Sequence, residues 1–163
     1  MAQGFYGFRP MTAAHLPTIR RWLETPQVAQ WWGDADTQFS LISDDLPEPA
    51  MEQFIVVHDG RPFAYLQCYD PAVWPENGFG PQPDGTRGVD QFIGEPDMIS
   101  RGHGSAFIRT FVDRLLAGGT PRVVTDPNPE NARAIRAYEK AGLSKDRLID
   151  TPDGPALLMV RDA

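Results

Sequence analysis

The segment from Ser100 to Ala106 contains two glycines, Gly102 and Gly104, directly before a run whose apolar residues recur at helical spacing. A loop that turns into a helix leaves several backbone N–H groups unpaired, and the aligned peptide dipoles add a partial positive charge at the same end. Glycine also lets a ligand approach the backbone closely. The segment therefore predicts an anion site suited to phosphate or pyrophosphate. A simple corner in the chain is the alternative explanation of the same pattern.

Asp90 is the second residue that could do chemistry, because it interrupts an apolar run from Gly88 to Ile93 that predicts a central strand. Aspartate is disfavoured inside a strand unless another interaction compensates for it. Two explanations follow from this position. Asp90 is either a functional carboxylate or a structural hydrogen-bond acceptor at a bulge in the strand.

The overall charge limits the classes of partner. The chain has 22 acidic and 15 basic residues and a formal net charge of −7. A nucleic-acid surface normally needs clusters of basic residues, so this balance argues against nucleic-acid binding. It suits a cationic partner, and a general role in solubility is the simpler alternative.

The single cysteine, Cys68, excludes a disulfide within the chain and is interpreted as an inert buried thiol. No cluster of histidine or cysteine is present, so no metal site is expected. No apolar run approaches the roughly 20 residues of a membrane helix, and the chain does not start with a secretory signal pattern. These features predict a cytoplasmic protein that binds no membrane.

The elements that must position these residues form a mixed α/β pattern, which at this length predicts a single domain over residues 1–163. The predicted order is β-α-(α)-β-β-β-α-β-α-β-β, and the optional helix falls in the acidic segment 34–48. Asp59-Gly60 predicts the turn of a hairpin, and Asn128 with Pro129 predicts the N-cap and first residue of the last helix. The predicted strands cover residues 5–10, 53–58, 62–69, 88–93, 122–125, 147–150 and 156–160.

Two stretches have no regular pattern and could border a site. Residues 70–86 are rich in proline and glycine, and a loop of that length is usually functional or disordered. Trp31 and Trp32 are adjacent and cannot face the same side of one element. Either one tryptophan packs in the core while the other borders a cleft, or both are core residues.

Two motifs together resemble the GCN5-related N-acetyltransferase (GNAT) superfamily: the glycine segment after a strand, and the later run from Asn131 to Leu143. The resemblance extends from about Trp31 to Val160 and narrows to the aminoglycoside 6′-N-acetyltransferases. It implies the GNAT fold, an α/β (α+β) class with a mixed, mostly antiparallel sheet of about six to seven strands and about four helices. The segments similar to those enzymes are Trp31–Gly33, Arg87–Gln91, Thr125–Pro127 and Thr151–Ala156.

The chain departs from the superfamily pattern at three positions. Ile99 stands where arginine or glutamine is usual, Ser100 where glycine is frequent, and Leu143 where phenylalanine is more common. The last change stays within core chemistry.

The resemblance implies acetyl-CoA as co-substrate, with its pyrophosphate on the backbone of the glycine segment and its pantetheine arm along the Asp90 strand. The cofactor-binding residues implied are Gln91, Phe92, Ile93, Arg101, Gly102, His103, Gly104, Ser105 and Asn131. His103 is interpreted as a loop residue of this site and not as a base.

The implied reaction is direct attack of an amine on the thioester. An ammonium group must lose a proton before it attacks, and Asp90 is the carboxylate that the resemblance assigns to this role. Tyr138 is the implied acid for the departing thiolate, since the pKa of tyrosine exceeds that of a thiol. A core tyrosine on the apolar face of its helix is the alternative, and the two roles are compatible.

The implied acceptor is a cationic small-molecule amine, in the first place an aminoglycoside. The residues assigned to it are Trp32, Gln67, Trp74 and Asp126, and a turn aspartate beside Pro127 is the alternative for Asp126. Other acceptors remain open: a polyamine, a hydroxylated lysine of siderophore synthesis, or a protein N-terminus. A non-catalytic acyl-CoA sensor is a further alternative. The expected oligomeric state is a monomer or a homodimer.

Overall fold

The structure is a computed structural model that describes residues 5–163. In this part of the chain there are seven strands and five α-helices. The strands are β1 (Tyr6–Pro10), β2 (Met51–His58), β3 (Arg61–Tyr69), β4 (Arg87–Ile93), β5 (Arg122–Thr125), β6 (Ser144–Thr151) and β7 (Gly154–Asp162). The helices are α1 (Leu16–Leu23), α2 (Pro26–Trp32), α3 (Ala35–Asp44), α4 (His103–Ala117) and α5 (Ala132–Lys140).

All seven strands join one mixed sheet in the order β1-β2-β3-β4-β5-β7-β6, in which β4 and β5 are parallel neighbours and the other neighbours are antiparallel. The predicted hairpin between β2 and β3 is confirmed. Its turn residues Asp59 and Gly60 have φ values of 48° and 82°, as a tight turn matched to the strand twist requires.

The parallel pair β4 and β5 opens into a fork. The two strands pair only at Arg87–Val123 and Gly88–Val124, whereas β4 pairs with β3 along its length up to Ile93. At the fork, the Thr125 hydroxyl donates a hydrogen bond of 2.8 Å to the Val89 carbonyl. Beyond this point the side of β4 that faces β5 has no neighbouring strand, which leaves its backbone groups available to a ligand.

The helices cover the two faces of the sheet. Side chains of α4 and α5, such as Phe107 and Ile135, form one core with the sheet residues Leu66 and Val89. On the opposite face, α1, α2 and α3 pack over a second core that contains Tyr65 and Phe92 of the sheet. Because successive residues of β4 alternate between the faces, Asp90 lies on the same face as Phe92.

The segment 70–86 is held against the sheet by one buried residue, Phe79. Phe79 is 2% exposed and packs in a third cluster with Tyr69, Val124 and Leu158. Short 3₁₀ turns occupy residues 71–73 and 75–77. The long loop is therefore fixed against the sheet next to the fork.

Two predictions of local structure are wrong. The last helix begins at Ala132 with Asn131 as its N-cap, whose side chain accepts from the Ala134 N–H at 3.2 Å. The side chain of Asn128 instead accepts from the Glu130 N–H at 2.9 Å, so it stabilises a local turn and does not cap the helix. In addition, the region between α1 and β2 contains both α2 and α3, where the sequence predicted at most one helix.

None of the helices in residues 5–163 has the length and apolar character that a membrane-spanning helix needs.

Candidate active site

A cleft of about 1180 Å³ opens at the fork between β4 and β5. It is bordered by α2, the anchored 70–86 segment, β4, the glycine segment, α5 and the turn between β6 and β7. The cleft therefore joins both faces of the sheet through the gap where the strands separate. Predicted site residues from distant parts of the sequence meet there.

The glycine segment forms one wall of the cleft. Ser100 and Gly102 have positive φ values of 60° and 86°, and no side chain caps the start of α4. The Ala106 N–H donates to the Gly102 carbonyl at 3.3 Å, so the preceding N–H groups of the first turn have no helical acceptor. Ser100 occupies the conformation that explains why glycine is frequent at this position in the superfamily.

The space around Gly104 shows whether this wall can accommodate a large phosphorylated ligand. A Cβ added to Gly104 would meet only Ile93 at 3.8 Å and Ala137 at 3.9 Å, which are ordinary contact distances. Both neighbours line the cleft, so the missing Cβ leaves the helix backbone open to the cleft itself. The arrangement fits the pyrophosphate of acetyl-CoA against the free N–H groups.

Most of the predicted cofactor residues line the cleft together. They are Gln91, Phe92, Ile93, Gly102, Gly104, Ser105 and Asn131. The side chains of the other two point elsewhere. Arg101 donates from Nε to the Asp97 carbonyl at 2.6 Å, and His103 is buried with its Nδ1 atom 2.8 Å from the Tyr6 hydroxyl.

One edge of the cleft, on α5, carries basic side chains that were not predicted from the sequence. Arg133, Arg136 and Lys140 all line the cleft and have exposed side chains. Their spacing of three and four residues places them on one side of a helix, and this spacing was the signal that could have revealed them. Three cations here favour a phosphorylated ligand on the same side as the glycine segment.

Asp90 lies at the floor of the cleft and is held by a chain of hydrogen bonds. The Tyr65 hydroxyl donates to Gln67 Oε1 at 2.8 Å, and Gln67 Nε2 donates to Asp90 Oδ2 at 2.9 Å. Burial raises the pKa of Asp90, and the hydrogen bond from Gln67 opposes that rise. Gln67, predicted as a substrate residue, therefore also orients the candidate base.

Asp126 lies next to Asp90, because it directly follows the last residue of β5, and β5 is the strand that faces β4 across the fork. The two carboxyl groups are close enough for each to alter the pKa of the other. Burial raises the pKa of Asp126 well above its usual range, and the charges of Asp90 and Asp153 raise it further. Asp126 is therefore the member of the pair that takes up a proton first as the pH falls.

Tyr138 of α5 reaches the fork from the opposite face of the sheet and is 3% exposed. Burial and the charge of Asp90 raise the pKa of its hydroxyl, while hydrogen bonding to the side chains of Thr125 and Gln91 opposes the rise. The ring packs in the core and the residue lines the cleft, so the two predicted roles of Tyr138 are compatible. Its hydroxyl is a proton donor throughout the neutral pH range.

The predicted acceptor residues Trp32, Gln67, Trp74 and Asp126 all line the cleft. The Trp32 ring stands edge-on to Phe92 at 5.1 Å, and the Trp74 ring stands edge-on to Tyr69 at 6.0 Å. Trp31 also borders the cleft, whereas Trp32 both borders the cleft and packs against the core of this face. The prediction of one core tryptophan and one cleft tryptophan is therefore confirmed, with the addition that Trp32 reaches the cleft as well. They can share the cleft because they lie at the end of α2, where the helix stops at Gly33.

Further carboxylates make this half of the cleft acidic. Asp45, Glu76 and Asp153 line it together with Asp90 and Asp126. Asp45 belongs to the acidic segment that the sequence linked to a cationic acceptor, whereas Glu76 and Asp153 were missed. No local pattern marked those two, because their loops come together only at the fork.

Cys68 lies outside the cleft. Its side chain is fully buried, and burial raises the pKa of the thiol to about 11, against the opposing effect of Arg87. A thiol in this state is a poor nucleophile, which agrees with its prediction as an inert residue.

Comparisons with known proteins agree with this geometry. The family model described as acetyltransferase (GNAT) domain matches residues 11–151. Aminoglycoside N(6′)-acetyltransferase type 1 of Klebsiella pneumoniae is 32% identical over 162 residues, which cover 94% of this chain and 81% of the relative.

Two solved structures have closely similar folds. Aminoglycoside acetyltransferase AAC(6′)-Ib in complex with coenzyme A and kanamycin matches with a TM-score of 0.87 at 31% identity, over 97% of this chain and 95% of that chain. AAC(6′)-Ib in complex with paromomycin and acetyl-CoA matches with a TM-score of 0.87 at 30% identity, over 96% of this chain and 93% of that chain.

Proposed function

This chain belongs to the GNAT acetyltransferase family, as the resemblance in its sequence predicted, and from that premise we propose that it acetylates the 6′-amine of an aminoglycoside. The donor is acetyl-CoA. The observation that carries this proposal is the division of one cleft into two halves of opposite character. Free helix N–H groups and three cations border one half, and five carboxyl groups border the other.

The acidic half suits an acceptor with several ammonium groups. The contributing carboxyls are Asp45, Glu76, Asp90, Asp126 and Asp153. They come from separate elements around the cleft, so they can contact several amines of one rigid molecule at once. Trp32 and Trp74 add aromatic faces on which sugar rings and cations can pack.

Acetyl-CoA supplies a thioester carbonyl that an unprotonated amine attacks directly. Asp90 accepts the proton of the acceptor ammonium, directly or through water, and its raised pKa makes it a better base than an exposed aspartate. Gln67 holds Oδ2 of Asp90, which leaves the other oxygen for the amine. Asp126 stabilises the cationic acceptor beside it.

The Tyr138 hydroxyl donates a proton, or a hydrogen bond, to the sulfur that leaves. Its pKa lies above its usual value, so the hydroxyl is protonated at working pH. Backbone groups on the free edge of β4, from Gln91 to Ile93, would pair with the pantetheine arm. Arg133 and Arg136 would contact the phosphates of the adenosine end.

The test is a thiol-release assay of purified protein with acetyl-CoA and a panel of amines. We expect turnover with kanamycin at micromolar to millimolar concentrations, and none with an aminoglycoside that carries a 6′-hydroxyl in place of the 6′-amine. Spermidine, hydroxylysine and a peptide with a free N-terminus are the competing acceptors.

Turnover of one of those competitors without turnover of any aminoglycoside would overturn the proposed acceptor and keep the chemistry. Binding of CoA without turnover of any amine would favour the sensor alternative. We place the reaction in the cytoplasm, where acetyl-CoA is available, and the choice between monomer and homodimer stays a prediction for a sizing experiment.

A further inference from the structure

His103 is the one side chain of the glycine segment that is buried away from the cleft. It is the first residue of α4 and lies between Gly102 and Gly104, whose backbones line the cleft. Its ring is 9% exposed and is inserted among aromatic residues of the first three strands. The residues on either side of His103 therefore border the cleft, whereas its own side chain enters the core.

The contacts of His103 are specific. Its Nδ1 atom lies 2.8 Å from the Tyr6 hydroxyl, and its ring lies 4.7 Å from the ring of His58 and 5.4 Å from that of Phe63. Tyr6 and His58 are directly paired across β1 and β2. One hydrogen bond thus ties the start of α4 to a rigid part of the sheet.

The other side chains of the glycine segment bond only to nearby backbone, as Arg101 does to the Asp97 carbonyl at 2.6 Å. No side chain caps α4, and the αL conformations of Ser100 and Gly102 turn the chain sharply before it. The Ser105 hydroxyl bonds only to the nearby Gly102 carbonyl, at 3.3 Å. The orientation of the first helical turn therefore depends strongly on where the His103 ring is held.

The pocket favours a neutral imidazole. Burial lowers the pKa of His103, and the charges of His58 and Arg101 lower it further, while Asp59 in the β2–β3 turn opposes them. Tyr6 on β1 is the remaining titratable group in contact. Within residues 5–163, Nδ1 of His58 is buried and has no hydrogen-bond partner.

We propose that the hydrogen bond between Tyr6 and neutral His103 positions the first turn of α4 for the cofactor phosphates, and that acetyl-CoA binds more weakly once His103 is protonated. The inference rests on the proposed function of the glycine segment. His103 is a positioning residue in this scheme, because it acts through the backbone N–H groups beside it. With the proton on Nε2, Nδ1 accepts from the Tyr6 hydroxyl.

Two variants separate the hydrogen bond from simple packing. Tyr6→Phe removes the hydroxyl and keeps the ring. His103→Asn places an amide oxygen near the position of Nδ1, keeps an acceptor for Tyr6 and cannot be protonated. At pH 7.5 we expect Tyr6→Phe to raise the Kd for CoA about three- to tenfold, the effect of one lost hydrogen bond, with kcat at saturating acetyl-CoA within about twofold of wild type. His103→Asn should bind CoA within about twofold of wild type at this pH.

The pH profile is the readout that a purely structural role would not change. Calorimetry with CoA from pH 8.0 to 5.5 gives the ratio of the wild-type Kd to the His103→Asn Kd at each pH, which cancels titration of the CoA phosphates. We expect this ratio to rise as the pH falls, and because the pKa of His103 lies below the ordinary histidine value of about 6.5, the rise should come at the acidic end of the series. His15→Asn is the control, since His15 lies outside the cleft and its Nδ1 atom accepts a hydrogen bond from the nearby Thr12 N–H.

Three results would overturn this inference. They are a Tyr6→Phe Kd within twofold of wild type despite a lower Tm, a wild-type to His103→Asn ratio that is flat with pH, and a His15→Asn profile that changes as much as that of His103→Asn. Failure of the wild-type protein to bind CoA at all would instead contradict the proposed function. The two failures are therefore distinguishable in one series of titrations.

Discussion

Asp90 acquires its chemistry from neighbours that lie on other strands. Gln67 donates a hydrogen bond to one oxygen of Asp90, Tyr65 donates to Gln67, and the Asp126 carboxyl, whose pKa is raised, lies nearby. The hydrogen bonds keep the buried carboxylate ionised, while burial keeps it basic enough to take a proton from an amine. A carboxylate with this environment is a candidate base on geometry first and on pKa second.

Replacing Asp90 with asparagine tests this assignment at the residue scale. Asp90→Asn keeps the shape of the side chain and its hydrogen bond with Gln67 but cannot accept the ammonium proton. We expect kcat to fall roughly 10²-fold or more, with the Kd for CoA within about twofold, measured by thiol release and calorimetry. Asp84→Asn is a matched control, because Asp84 is exposed and lies outside the cleft. Turnover of Asp90→Asn near that of wild type would remove Asp90 from the base role.

At the scale of elements, the decisive feature is the fork between β4 and β5. Parallel strands that separate after two residue pairs leave one strand edge, one helix start and one strand end facing the same gap. The lack of a side-chain cap on α4 follows the same logic, since a capping side chain would occupy the N–H groups that a phosphate needs. The cofactor half of the cleft is thus built from backbone more than from side chains.

Gly104→Val tests whether the start of α4 holds the cofactor. Gly104 is helical, and its added side chain would extend from a Cβ in ordinary contact with Ile93 and Ala137 into the cleft. We expect the variant to fold and to lose CoA binding by at least about tenfold in calorimetry, because valine takes the space of the ligand. Ala117→Val, an exposed position at the other end of α4, is the control for the β-branched side chain. An unchanged affinity for CoA in Gly104→Val would contradict the assignment of this segment.

At the scale of the whole molecule, the net charge of −7 conceals a separation of charge within one cleft. Acidic residues from five different regions border the acceptor half, and basic residues of α5 border the cofactor half. Bringing like charges together costs stability in the absence of a cationic ligand. For Asp126 this cost adds to the effect of burial, which raises the pKa values of both Asp90 and Asp126.

The pH dependence of global stability should report this cost. The pKa of Asp126 is raised in the folded state, so the folded protein holds a proton that the unfolded chain loses above about pH 4, and its stability falls as pH rises toward the folded pKa. Asp126→Asn removes the titration. We expect its Tm to exceed that of wild type at pH 8 by at least about 2 °C, with the difference shrinking toward pH 4. A lower Tm than wild type at pH 8 would contradict this account, and Asp84→Asn should leave the Tm unchanged at both pH values.

Much of the fold was predictable because its signals are local. Alternating and continuous apolar runs predicted the seven strands of the described residues, and Asp59-Gly60 predicted the first hairpin. The helix start at Asn131 was misplaced because Asn128-Pro129 carries an equally good local signal, and only the competing turn at Glu130 decides between them. The short helix α2 was missed because its seven residues include two tryptophans and show no long period.

The sequence by itself determined the family, and it predicted the anion site of the glycine segment and the roles of Asp90 and Tyr138, since these rest on residue types at short spacings along the chain. Only the tertiary structure decided that Asp126 lies beside Asp90, that Gln67 bonds to Asp90, that α5 presents Arg133 to the cleft and that His103 is buried on Tyr6. Each of these depends on which strands are neighbours and where β4 and β5 separate. Strand order and separation are set by packing against helices on both faces, which no local pattern of residues encodes.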